Sequence, residues 1–207
     1  MIIAVDGPTA SGKGTIAKAL AHHFGLPHLD TGLLYRAVGR QCFLDGGNPD
    51  DPVDALAACA FPEGLLEDPE LRSEASGGLA SRVSIHPTVR KALYERQRTF
   101  ATQPAGAVLD GRDIGTVIAP EAQAKLFVVA SVEARAQRRF LEMHAQGRDI
   151  SLEAITADLA ARDERDRGRK DAPLVAAADA LVIDTSDLKR EEAIAAAIAA
   201  VDALRVT

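Results

Sequence analysis

The chain has 207 residues, a formal net charge of −6 and a hydrophobic content of 47%. That length holds one full core with a small inserted subdomain, and the composition is that of a packed soluble protein, not a disordered one. The acidic balance argues against binding a nucleic acid polymer, which favours a basic surface, so any anionic ligand must be met by a local cluster of arginines.

Residues 1–6 form a short apolar run ending in Asp6 and then glycine, the pattern of a buried parallel strand. Residues 13–24 follow as a helix with Ile16, Ala19, Leu20 and Phe24 on one face, and Gly25 is placed to end it. His28-Leu29-Asp30 is a brief second strand, and residues 32–44 a second helix that Thr31 can cap. The segment 46–104 breaks this rhythm: it carries five prolines between Pro49 and Pro87 and the flexible pair Gly77-Gly78, offers no strong strand, and has one good helix at 87–100. Strand candidates resume at 105–110, 125–130 and 180–184, with helices at 132–145, 151–167 and 189–204. The alternation predicts an α/β fold with a five-stranded parallel sheet flanked by helices. Residues 1–45 and 105–207 are expected to form the core, 46–104 an inserted subdomain, and about 143–163 a short lid turning at Gly147.

Cys42 and Cys59 have no zinc spacing and read as ordinary thiols. The apolar opening and the alanine-rich run 193–201 are both too short to span a membrane, so a cytoplasmic protein is expected. Nothing suggests an obligate interface, and a monomer is expected.

Gly7-Pro8-Thr9-Ala10-Ser11-Gly12-Lys13 satisfies G-x-x-x-x-G-K between a strand and a helix, the context that gives this motif its meaning. Its backbone N–H groups and the helix N-terminus attract phosphate, and Lys13 can bridge the β- and γ-phosphates of a nucleoside triphosphate. Gly14 stands where a magnesium-binding Ser or Thr is usual, so Thr15 is left to reach a phosphate and the ion is expected to keep more of its waters. Arg36, beside Tyr35 at the binding edge of the sheet, is placed to meet a second phosphate. In Asp110-Gly111-Arg112-Asp113 the first acid sits where such folds hold magnesium through water, Arg112 can fork onto a phosphate, and Asp113 can accept from an exocyclic amine. Along 162–169 a helical spacing gathers Arg162, Arg165, Asp166 and Arg169 on one face. Pairs such as Asp158–Arg162 and Asp163–Arg167 account for that run without function, but phosphoryl transfer needs such cations.

In order, residues 7–15, 30–36, 89–100, 110–120 and 162–185 resemble bacterial cytidylate kinase, a nucleoside monophosphate kinase of the P-loop type. The likeness spans nearly the whole chain and is weakest at 46–78. It implies transfer of the γ-phosphoryl group of ATP, with Mg2+, to CMP or dCMP. It further implies that Ser81, Arg90 and Asp113 read the cytosine edge, that Arg36 and Arg112 clamp the acceptor phosphate beside Thr31 and Tyr35, that Asp166 meets the sugar hydroxyls, and that Arg162 and Arg169 approach the phosphate in transfer. The alternatives are a kinase of another small acceptor, such as another nucleoside monophosphate or shikimate, and an idle nucleotide-binding domain. Against the last stand Lys13, Arg36, Arg112, Arg162 and Arg169, cations drawn from separate segments.

Overall fold

The computed structural model describes residues 1–205. It divides into two compact units, one of residues 1–29 and 101–207 and the other of residues 30–100.

The first unit is built on a five-stranded sheet of order β2-β3-β1-β4-β5. Its strands are β1 (Ile2–Asp6), β2 (His28–Asp30), β3 (Ala107–Gly111), β4 (Ala124–Val129) and β5 (Leu181–Asp184). β1 runs parallel to both β3 and β4, with Asp6 level with Gly111 on one side and Phe127 on the other. Every residue of β1 and β3 is buried, as a parallel strand covered on both faces requires. β5 lies at the edge and leaves Val182 62% exposed. Helices α1 (Lys13–Phe24) and α8 (Arg190–Arg205) cover one face: Ile16, Ala17 and Leu20 meet Ile3, Val5 and Leu126 together with Ala193, Ala197 and Val201. The alanine-rich tail is therefore core-facing helix. α6 (Val132–Ala145) and α7 (Leu152–Arg167) pack on each other through Ala136, Met143, Ile155 and Leu159. Gly25 ends α1 in the left-handed conformation expected of it, at φ 65°.

The second unit is helical, with α2 (Thr31–Leu44), α3 (Pro52–Ala57), α4 (Glu74–Val83) and most of α5 (Pro87–Ala101), joined by short 3-10 turns. Two expectations are corrected here. Asp30, not Thr31, caps α2: its Oδ1 accepts from the Leu33 N–H at 3.2 Å, and Thr31 is the first helical residue. Gly77 and Gly78 are not a flexible break but lie inside α4, which Ser73 caps. The units also part at Asp30 instead of Gly46, because α2 packs along α4. The approach is so close that a Cβ on Gly39 would stand 2.7 Å from Leu79 Cβ. Among the described residues no helix is long and apolar enough to cross a membrane.

Candidate active site

β1 lies between β3 and β4, and both chain directions of the sheet diverge from it, so the loop leaving β1 opens at the carboxyl edge where such sheets bind ligands. Gly7 begins that loop at φ 152°, and a Cβ there would lie 2.1 Å from the Val128 carbonyl oxygen; only glycine passes so close. The loop then runs through Pro8, Thr9, Ala10 and Ser11 to Gly12, the N-cap of α1, with Ala10 at φ 63° and Gly12 at φ 88°. Lys13 opens α1, and its Nζ donates to the Pro8 carbonyl at 3.3 Å. Gly14 and Thr15 complete the first turn. A Cβ on Gly14 would lie 3.5 Å from Asp110 Oδ2, so a serine at that position would put its hydroxyl against this carboxylate.

Asp110 ends the apolar part of β3 almost fully buried, and its Oδ1 lies 2.7 Å from His28 Nε2 on β2. Arg112 follows in the turn. Its Nε donates to Asp166 Oδ2 at 2.7 Å and its Nη2 to Thr9 Oγ1 at 2.5 Å, joining the β3 turn, α7 and the phosphate loop through one guanidinium. Arg169 donates to the other oxygen of Asp166. Burial alone would raise the Asp166 carboxyl, but the charges of Arg112 and Arg169 hold it below the usual carboxylate range. Burial lowers the Arg162 guanidinium from its ordinary value; Asp158, 3.5 Å away, partly offsets this and Arg112 adds to it. Asp163, paired at 4.0 Å with Arg167 as its spacing suggests, has a much closer partner in Arg135 at 2.5 Å. The arginine face differs from the sequence reading in two respects. α7 ends at Arg167, so Arg169 lies beyond the helix and is held there by Asp166, while Arg165 points to solvent.

Asp113 is buried and precedes a single wide, π-helical turn at Ile114–Ile118. Asp6, at the end of β1, receives that turn: its Oδ1 accepts from the Ile114 N–H at 2.9 Å and its Oδ2 from the Gly115 N–H at 2.8 Å. Burial pushes the Asp6 carboxyl up to about 7 against the pull of these two N–H groups.

In the helical unit, Arg36 Nη1 donates to the Leu71 and Ser73 carbonyls at 2.8 and 2.9 Å, so this part of the group ties α2 to the turn before α4. Tyr35 is buried, with the Arg90 guanidinium 5.7 Å from its ring centre. Thr31 and Ser81 are buried on α2 and α4. The structure thus brings together Thr9, Arg112, Asp166 and Arg169 in the first unit, and Tyr35 and Arg90 in the second. The sequence does not single out Asp6, His28, Arg135 or Thr185. The acid ending the first strand was visible, but none of the four carries a motif, and each is defined by a partner far along the chain.

The family model for cytidylate kinase matches residues 3–203. A cytidylate kinase of Caulobacter sp. (strain K31) is 53% identical over 205 residues, covering 99% of this chain and 95% of its own. One of Azorhizobium caulinodans is 54% identical over 205 residues, covering 99% of this chain and 100% of its own. Among solved structures, a gluconokinase from Sinorhizobium meliloti 1021 superposes with a TM-score of 0.51 at 18% identity over 98% of this chain and 92% of its own, a likeness of fold alone. A protein from Eubacterium ventriosum does so at 0.56 and 17% over 98% of each chain. A phosphate loop bonded to the arginine of the β3 turn, and matches of this length and identity, lead to one conclusion: the chain belongs to the cytidylate kinase family.

Proposed function

We infer that the chain transfers the γ-phosphoryl group of ATP to CMP or dCMP, giving ADP and CDP or dCDP. The observation that carries this is the Arg112 guanidinium, bonded at once to Thr9 of the phosphate loop and to Asp166 of α7, with Arg169 on the same carboxylate. Cations from separate segments are assembled beside a loop that binds the donor phosphates, which a domain that merely held a nucleotide would not require.

The acceptor phosphate is already an anion and a nucleophile at neutral pH, so no strong base is needed. The residues align two anions, offset their repulsion and exclude water, the competing acceptor. In this reading the N–H groups of residues 7–15 and the Lys13 ammonium hold the donor phosphates. Arg162 and Arg169 neutralise charge that spreads over the transferred group. Arg112 and Arg36 take the acceptor phosphate, beside Thr31 and Tyr35. Asp113, Ser81 and Arg90 read the cytosine. Asp166 meets the sugar hydroxyls; each of its oxygens already accepts from an arginine, but a carboxylate offers about four acceptor sites in all.

Among the described residues no group of three or more His, Cys, Asp or Glu side chains could hold a metal. With Gly14 contributing no hydroxyl, this donor set suits Mg2+ that keeps its waters and rides on the nucleotide. Asp110, oriented by His28, would hold it through water, and the ion would supply positive charge to offset that of the donor phosphates. The reading is completed by a cytoplasmic monomer. ADP release measured across CMP, dCMP, UMP, AMP and shikimate tests the assignment: CMP and dCMP should turn over fastest, and faster turnover of any of the other three overturns it.

A further inference from the structure

Two carbonyls of the phosphate loop are held by side chains that no step above uses. The Thr9 carbonyl accepts from Arg135 Nη1 at 3.0 Å, and the Ser11 carbonyl from Thr185 Oγ1 at 2.9 Å. In a trans peptide the C=O and the following N–H point to opposite sides. Holding these two carbonyls outward therefore turns the Ala10 and Gly12 N–H groups the other way. Neither N–H donates within the loop's own turn, whose internal bond runs from Ser11 N–H to the Pro8 carbonyl. Both residues are left-handed, the backbone pattern that gathers alternate N–H groups into an anion-binding concavity. For Ala10 that conformation costs about 1–2 kcal/mol, so the loop needs outside support to keep it.

Arg135 is 1% exposed. Its Nε donates to the Ala130 carbonyl at 3.0 Å, and its Nη1 and Nη2 fork onto Asp163 at 3.0 and 2.5 Å. A buried ion pair contributes little net stability, because desolvation of both charges offsets their attraction. What Arg135 adds over an apolar residue is a donor aimed at Thr9, with its counter-charge on α7, the helix that carries Arg162 and Asp166. Thr185, just past β5, is held in turn by Arg138 of α6, which donates to its hydroxyl at 3.2 Å and to its carbonyl.

We infer that Arg135 and Thr185 are positioning residues of the donor-phosphate site: they pin the Thr9 and Ser11 carbonyls outward, presetting the Ala10 and Gly12 N–H groups for the phosphates of the nucleotide. The inference rests on the phosphate-loop reading above, though not on the identity of the acceptor.

The test uses Thr185→Val, Thr185→Ser and the double variant Arg135→Met/Asp163→Leu, which removes the buried pair without stranding a charge. ADP affinity is measured by calorimetry, alongside melting temperature and KM for ATP and for CMP. Thr185→Val and the double variant should each weaken ADP binding and raise KM for ATP by about tenfold, the equivalent of about 1.4 kcal/mol. KM for CMP should stay within about twofold, and Thr185→Ser should restore ADP affinity. Lower melting temperatures with ADP affinity unchanged would mean purely structural roles and overturn the inference. Should the double variant not fold, Arg135→Lys replaces it, keeping the charge beside Asp163 without the fork; unchanged ADP affinity in it and in Thr185→Val overturns the inference equally. A wild-type protein that binds ADP but does not phosphorylate CMP would sink the assigned reaction and leave this inference standing.

Discussion

Replacing Asp6 with asparagine tests how the phosphate loop is coupled to the turn carrying Asp113. Asp6 is 5% exposed and accepts the Ile114 and Gly115 N–H groups, one on each oxygen. Burial lifts its carboxyl from 3.8 to about 7; the two N–H groups and Lys13 oppose the rise, and Asp113 assists it. A carboxyl whose folded value is raised keeps its proton in the folded state after the unfolded chain has lost it. Its stabilising contribution is thus complete below about pH 3.8 and is lost as pH climbs through about 7. That span corresponds to ~4 kcal/mol at about 1.4 kcal/mol per pH unit. Asp6→Asn removes the titration and leaves one N–H facing an amide donor, a pH-independent cost of about 1–3 kcal/mol. Urea unfolding of both proteins, free of nucleotide and magnesium, should be followed from pH 4.5 to 8.5 in small steps. The advantage of the wild type over Asp6→Asn should shrink steadily to about pH 7 and then level off. An advantage that stays constant across the series would refute the assignment of a raised carboxyl at this position.

Lys13→Ala should lower kcat by roughly 10²–10³, the loss typical of one donor aimed at developing charge, in a steady-state assay with saturating CMP; an unchanged kcat would remove Lys13 from the transfer step. Asp113→Ala should raise KM for CMP more than KM for ATP, and an equal rise in both would argue that the residue does not read the base. Gly39→Ala forces a Cβ to 2.7 Å from Leu79 Cβ and 2.9 Å from the Leu79 backbone carbonyl carbon, so the helical unit should lose about 1–3 kcal/mol in urea unfolding.

The sheet, most helices and the phosphate loop were legible in the sequence because their causes are local. An apolar run, a helical period, a glycine in the left-handed region and the spacing of Gly7, Gly12 and Lys13 each act within a few residues. Neighbouring residues can also compete for one local role: the carboxylate of Asp30 takes the cap that Thr31 could have provided. The break near Gly46 marked a change of composition, not of packing. Gly39 against Leu79 draws α2 into the helical unit, and Gly77 and Gly78 lie inside α4, whose first turn the Ser73 side chain caps. The charge run near the end promised a single arginine face, yet the folded chain buries Arg162 and Asp166 and leaves Arg165 outside.

The reaction class is written in the residues from Gly7 to Lys13, and Asp110 to Asp113 with the late arginines point to the acceptor. How those groups are held follows from the folded chain: Arg112 bridges Thr9 and Asp166, Asp6 receives the turn after Asp113, and Arg135 and Thr185 hold two carbonyls of the loop. The partners in several of these contacts stand more than a hundred residues apart. Spacing along the chain carries no trace of such pairs. They exist because parallel strands deliver their carboxyl ends to one edge, where buried donors must find acceptors or remain costly.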